Sequence, residues 1–193
     1  IIGSLVAAVL DTCLHVTAGG GLGLGAGTVI SDNNIQACGV YALHLAGNDY
    51  VATGNTLAWS KSGATMLVTA GPGVLSGNMI TSPVGGSVYA LDVQQSNQTI
   101  IGNHMAGGVR VLSSTGAQRA GVRLIGNYVA TGFRGVFFDA KGICTVTGTV
   151  CDLTTDCGAN VCGTYGLFDH NEVASNIIAN GVTASGADGV TCE

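Results

Sequence analysis

Apolar runs of four to six residues, rich in Val, Ile, Leu, Tyr, Thr and Phe, recur along this chain, and Gly, Asn or Ser closes each of them. Runs of that length and make-up, bounded by turn formers, predict strands rather than helices. Side chains on a strand alternate between faces. In GVYALHLAG, opening at Gly39, alternation puts Val40 and Ala42 on one face and Tyr41 and Leu43 on the other. The first face continues through Ala64 and Met66, Val88 and Ala90, Val109 and Val111, and Val136 and Phe138, and is predicted to line the core. The second continues through Thr65 and Leu67, Tyr89 and Leu91, Arg110 and Leu112, and Phe137 and Asp139. That outer face is also largely apolar.

The runs are periodic. Asn residues that precede apolar pairs fall at Asn34, Asn55, Asn78, Asn103, Asn127 and Asn171, with gaps of 21, 23, 25, 24 and 44. The last gap is twice 22, so the period lies in the low twenties. A second anchor keeps step: Gly39, Gly63 and Ser87 are 24 apart, and VYAL occurs at Val40–Leu43 and again at Val88–Leu91. Such a period with short apolar runs is the signature of a solenoid. Leucine-rich repeats need a fixed Leu frame that is missing here, and helical repeats need the Glu and Lys that this chain almost lacks. Two or three strands per period, each period alike, predict parallel stacking at about 4.8 Å per coil. The near-repeat GNDYVATGN at Gly47–Asn55 and GNYVATG at Gly126–Gly132 starts 79 residues apart, not a whole number of periods. It is therefore one strand-and-turn vocabulary used on different sides of the coil. The repeated Asn predicts a ladder that stabilises corners, because Asn tolerates positive φ and can bond to backbone or to the Asn above it.

The grammar of GV strands followed by IGN corners, over roughly Thr28 to Val182, resembles the right-handed parallel β-helix repeat of pectate lyase-like proteins and viral tailspikes. The resemblance implies an all-β fold: a right-handed single-stranded parallel β-helix of about 22–25 residues per coil and roughly seven to eight coils. One domain spanning 1–193 is expected, with a disulfide-stapled loop insertion at 140–165. The chain does not begin with Met and has no basic leader, which is expected of a processed or excised part of a longer protein.

Composition narrows the function. Charged residues are only 9% of the chain, with six Lys and Arg against eleven Asp and Glu, so no basic surface for nucleic acid is expected. Hydrophobic residues reach 47%, yet no apolar window is long enough to span a membrane. Seven Cys point to disulfides in an oxidising compartment, with buried free thiols as the alternative. Cys13 and Cys38, 25 residues apart and so about one coil, are predicted to pair. Cys144, Cys151, Cys157 and Cys162 are predicted to staple their own loop. Their gaps do not match a zinc site, and Asp152 and Asp156 lack a calcium frame, so neither metal nor cofactor is expected.

The outer column Tyr41, Leu43, Leu67, Tyr89, Leu91, Arg110, Leu112 and Phe137 is the predicted binding or assembly face. A stripe of that size is larger than a monomer usually exposes. It packs against another copy or a neighbouring domain, is covered internally, or forms a carbohydrate platform of Tyr41, Tyr89 and Phe137. For catalysis the candidates are sparse. Asp169, His170 and Glu172 in FDHNE form the richest polar cluster, with an exposed turn as the plainer reading. Asp92 and His44 share a column two coils apart with Val68 between them, and Asp139 is expected to pair with Arg134 or Lys141. The function expected first is a structural or adhesive segment of a secreted, cell-surface or fibre protein that self-associates. The alternative is a carbohydrate-active β-helix, a polysaccharide lyase or glycoside hydrolase, with a site assembled between subunits.

Overall fold

The computed structural model describes residues 1–17, 27–61, 64–81, 89–113, 118–131, 134–140, 142–144, 150–151, 162–163, 167–180 and 188–192. These residues form strands and turns and no helix. Three parallel sheets dominate. Sheet I stacks Thr28–Ser31, Tyr50–Thr53, Gly73–Ser76, Gln98–Ile101, Arg123–Ile125 and Glu172–Ala174. Sheet II stacks Leu5–Val9, Asn34–Cys38, Thr56–Ser60, Met79–Thr81, His104–Ala106, Tyr128–Thr131 and Ile177–Asn180. Sheet III stacks Leu14–Thr17, Leu43–Ala46, Met66–Val68, Tyr89–Val93, Gly108–Ser113, Arg134–Ala140 and Asp188–Cys192. The chain visits the sheets in turn and returns to each about one period later until the last coil, where Arg123 pairs with Glu172 and Asn127 bonds directly to Asn176 across 49 residues, so the long final gap is one coil and not two. The arrangement is consistent with a β-helix solenoid. A small antiparallel sheet of Gly142–Cys144, Val150–Cys151 and Cys162–Gly163 stands apart from the three.

Alternation fills the space between the sheets with columns of apolar side chains. Ile30, Ala52, Leu75, Ile100 and Leu124 stack in sheet I. Ile35, Leu57, Ile80, Met105 and Val129 stack in sheet II. All ten are fully buried. Tyr50 and Gln98 enter the core as partners. Tyr50 donates its hydroxyl to Gln98 Oε1, and Gln98 Nε2 donates to the carbonyls of Ser96 and Ala70 at 2.9 and 3.2 Å. Burial pushes the Tyr50 phenol well above its ordinary pKa.

The corner between sheets I and II carries the repeat signature. Asp32, Gly54, Gly77, Gly102, Gly126 and Ser175 all have φ near +60°, and each is followed by an Asn. Glycine suits this left-handed turn because it has no Cβ to clash. The Asn that follows then points inward. Asn33, Asn55, Asn78, Asn103, Asn127 and Asn176 form a continuous ladder, each donating its Nδ2 to the Oδ1 of the next at 2.9–3.0 Å. Each backbone N–H donates to the same oxygen. Asn34 and Asn171 are therefore not rungs. Asn34 is exposed at the start of its strand, and Asn171 accepts from the Val122 N–H at a different corner. What marks a rung is the left-handed residue just before it, which selects Asn33 after Asp32 and Asn176 after Ser175.

The twice-used phrase has opposite facings. Tyr50–Thr53 lies in sheet I with Tyr50 buried and Val51 exposed, whereas Tyr128–Thr131 lies in sheet II with Tyr128 exposed and Val129 buried. In the first copy the left-handed residue, Asp49, immediately precedes Tyr50; in the second, Asn127 intervenes between Gly126 and Tyr128. One residue of offset turns a strand over.

Candidate functional site

Polar and aromatic side chains concentrate on the outward row of sheet III. His15, His44, Leu67, Asp92, Arg110 and Phe137 are register partners on successive strands. At one end His15 and His44 stack with ring centroids 4.3 Å apart and planes 6° from parallel. His44 Nε2 lies 2.8 Å from Thr69 Oγ1, and the Tyr41 ring tilts against it at 5.8 Å. Burial, then the charge of His15, holds the His44 pKa below its ordinary value.

At the other end Arg110 binds two carboxylates. Its Nε donates to Asp92 Oδ1 at 3.2 Å and its Nη2 to Asp92 Oδ2, a bidentate pair. Asp139 Oδ2 lies 3.8 Å from Nη1. Gln94 Nε2 donates to Asp92 at 3.0 Å. The guanidinium also sits 5.2 Å from the Tyr89 ring centre, and Tyr89 is parallel to Phe137 at 6.2 Å. Burial pulls the Arg110 pKa down, but the hydrogen bond and charge of Asp92, with Asp139 behind them, outweigh it and leave the pKa raised. Asp92 and Asp139 are 4% and 5% exposed, so this is a nearly dry ion cluster rather than an open cleft. Arg110 thus lies beside Asp139; Lys141 and the side chain of Arg134, with one of which Asp139 was expected to pair, lie outside the described residues. Asp92 and His44 do share a column, with Leu67 rather than Val68 between them.

The predicted assembly face requires correction. Leu43 and Leu91 are fully buried in the core, and Leu67 and Phe137 are nearly so. Tyr41, Tyr89, Arg110 and Leu112 are half-buried. The expectation rested on a constant 24-residue step. Strand registers instead pair Leu43 with Met66 and Met66 with Leu91, steps of 23 and 25. A bulge between Tyr89 and Leu91 then shifts the next pairing by one residue so that Asp92, not Leu91, meets Arg110. The large exposed apolar side chains of the described residues lie elsewhere. Leu5, Met79, Tyr128 and Ile177 belong to a single outward row of sheet II, at 69%, 47%, 38% and 64% exposure. Asn34, Thr56 and His104 complete that row.

The catalytic candidates are placed as follows. Asp169 ends the strand Leu167–Asp169, and its side chain lies outside the described residues. His170 is exposed and takes a left-handed conformation at the bend into sheet I. Glu172 accepts a 2.8 Å hydrogen bond from Arg123 Nε on the neighbouring strand. Cys13 and Cys38 form a disulfide with Cα atoms 5.5 Å apart. The two do not stack as equivalent positions: Cys38 is in register with Val9, and the Cys13 N–H donates to the Tyr41 carbonyl. The bridge crosses from the end of sheet II to the turn before sheet III. Cys157 and the side chains of Cys144, Cys151 and Cys162 lie outside the described residues. Among the described residues no cluster of three or more His, Cys, Asp or Glu could hold a metal ion, and no helix is long and apolar enough to cross a membrane.

Two shallow grooves accompany these features. One, of about 380 Å³, runs over Tyr50, Val51, Pro72, Val74 and Thr99 of sheet I. The other, of about 590 Å³, lies beside the disulfide and is lined by Val9, Leu10, Ala37, Cys38, Trp59 and Lys61. Trp59 had no part in the sequence argument. Its signal was present, a lone Trp followed by Ser60 and Lys61 at the end of an apolar run. No protein-family model matches the chain, and searches of curated proteins and of solved structures return no match.

Proposed function

We propose that the chain is a structural or adhesive segment of an exported or surface protein, built as a right-handed β-helix of about seven to eight coils, and that it self-associates. Right-handed crossing is the near-universal hand of parallel strand crossovers, and two of the sheets hold seven strands each. The disulfide supports an oxidising, extracellular setting. The observation that carries the reading is the outward row of sheet II, where Leu5, Met79, Tyr128 and Ile177 are exposed, interspersed with Asn34, Thr56 and His104 and free of Asp, Glu, Lys and Arg. Large apolar side chains exposed along one row without a full charge favour burial against a second surface.

The competing class, a polysaccharide lyase or glycoside hydrolase, is less well supported. Glycoside hydrolysis needs two carboxyls poised across a substrate, whereas Asp92 and Asp139 share Arg110 and Glu172 bonds to Arg123. The test is particle mass by light scattering for the wild type and for a Met79→Lys, Tyr128→Lys double variant. Wild type above monomer mass and a lighter variant with an unchanged far-UV spectrum are expected. A wild type that stays monomeric at about 100 μM would sink the assembly reading, since interfaces of stable size bind well below that level.

A further inference from the structure

Trp59 is the sole tryptophan of the chain. It is the penultimate residue of a sheet II strand, 57% exposed, with φ of 58°. A bulky aromatic residue is rarely held in the left-handed region, and such strain persists where the surroundings impose it and often marks a ligand clamp. One coil earlier Ala37 occupies the equivalent position with φ of 57°, the flanking pairs being Gln36 with Ala58 and Cys38 with Ser60. Ala37 carries only a methyl group, so space opens beside the indole. The lining continues from Ala37 into Cys38 and Gly39. It is anchored by the Cys13–Cys38 disulfide, and at Gly39 a Cβ would collide with the Leu10 carbonyl oxygen at 1.8 Å.

Lys61 lines the same groove and is exposed. Its backbone N–H donates to the Cys38 carbonyl at 2.9 Å, which fixes the base of the side chain. Arg110 and Arg123 are each bound to carboxylates, but no ion pair engages the Lys61 ammonium among the described residues. An unpaired cation on a chain of net charge −5, next to an open aromatic face, is complementary to an anion that has a flat apolar side.

We propose that this groove binds a ring-bearing carboxylate, its ring stacked on Trp59 and its carboxylate paired with Lys61. The ring can belong to an acidic sugar or to an aromatic acid, since both present a flat face and one charge. The proposal stands apart from self-association, which uses the Met79 and Tyr128 row.

A single tryptophan makes the test direct. Trp59 emission is titrated with sodium glucuronate and sodium benzoate, alongside glucose and benzyl alcohol as uncharged counterparts. A saturable change with one of the acids and none with its neutral counterpart is expected, and the acid that acts identifies the source. Lys61→Gln, at an exposed position, should keep the far-UV spectrum and weaken binding roughly fivefold, as for a solvent-exposed ion pair. Trp59→Leu should lose the saturation-transfer NMR signal of the bound acid. The proposal is overturned if neither acid saturates, if the neutral compounds act equally, or if Lys61→Gln binds as well as wild type. Emission that shifts with protein concentration alone would overturn it too, by assigning the groove to a second copy. Repeating the titration on Met79→Lys, Tyr128→Lys separates failure here from failure of the assembly reading.

Discussion

Arg110 shows how one side chain can decide whether two others are tolerable. Asp92 and Asp139 are removed from water, and the guanidinium between them compensates both. Breaking a buried pair by deleting one partner is far costlier than the pair is worth, because the remaining charge is left without solvent or partner. Arg110→Met should therefore lower the unfolding free energy by about 2–3 kcal/mol in urea denaturation, less than for a fully buried pair because the Arg110 side chain retains 27% exposure. Asp92→Asn should cost less, about 1–2 kcal/mol, since its amide oxygen still accepts from the guanidinium. A larger loss for Asp92→Asn would move the weight of the cluster from Arg110 to Gln94 and Asp92. None of this was legible from the sequence. Asp92 and Arg110 are 18 residues apart, short of a period, and only the bulge before Leu91 brings them together.

Strands and corners were both legible, and so was the core-lining face of Ala42, Met66, Ala90, Val109, Val111 and Val136, all fully buried. Four of the five Gly-Asn pairs place a left-handed glycine before an inward amide and supply four of the six rungs, whereas Asn48 of the fifth is exposed. Asn34 and Asn171 were mistaken for rungs because an adjacent Asn in NNI and a look-alike HNEV satisfy the same pattern of Asn before an apolar pair. The outer column was harder to read, since turns of unequal length change the step between coils from 23 to 25. The ladder makes a prediction at its centre. The Asn78 side chain accepts from the N–H and Nδ2 of Asn55 and donates to the Ala52 carbonyl and to Asn103, all at 2.9–3.0 Å. Asn78→Ala leaves several buried groups without partners, each costing about 1–3 kcal/mol in part. A loss of about 3–4 kcal/mol is expected by chemical denaturation. Asn33→Ala, where one partner is the exposed Ile1 carbonyl, should cost about 1–2 kcal/mol. Equal losses at the two sites would show that the rungs act singly and not as a ladder.

A stack of similar coils holds together through contacts between neighbours, so a local charge change is felt first by the coils that carry it. His44, stacked on His15, is where mild acid is expected to act. Between pH 7.5 and 5.5 ordinary carboxylates are already ionised and histidines are the side chains that change charge. The folded His44 has a lowered pKa, from burial first and then from His15. The unfolded chain therefore binds the proton more readily than the folded one. The stability contributed by neutral His44 is present above the unfolded pKa of about 6.5 and is lost as pH falls through the folded pKa. Wild type should accordingly unfold at a lower urea midpoint at pH 5.5 than at pH 7.5. His44→Gln, which can still hydrogen-bond to Thr69, should flatten that dependence, and His15→Gln should flatten it less, since it removes only the smaller of the two causes. Hydrogen exchange should show the acid effect in Leu14–Thr17 and Leu43–Ala46 before it reaches Gly108–Ser113. A midpoint that falls equally in wild type and His44→Gln would place the acid response elsewhere, with His104 and its edge contact to Tyr128 as the next pair to examine.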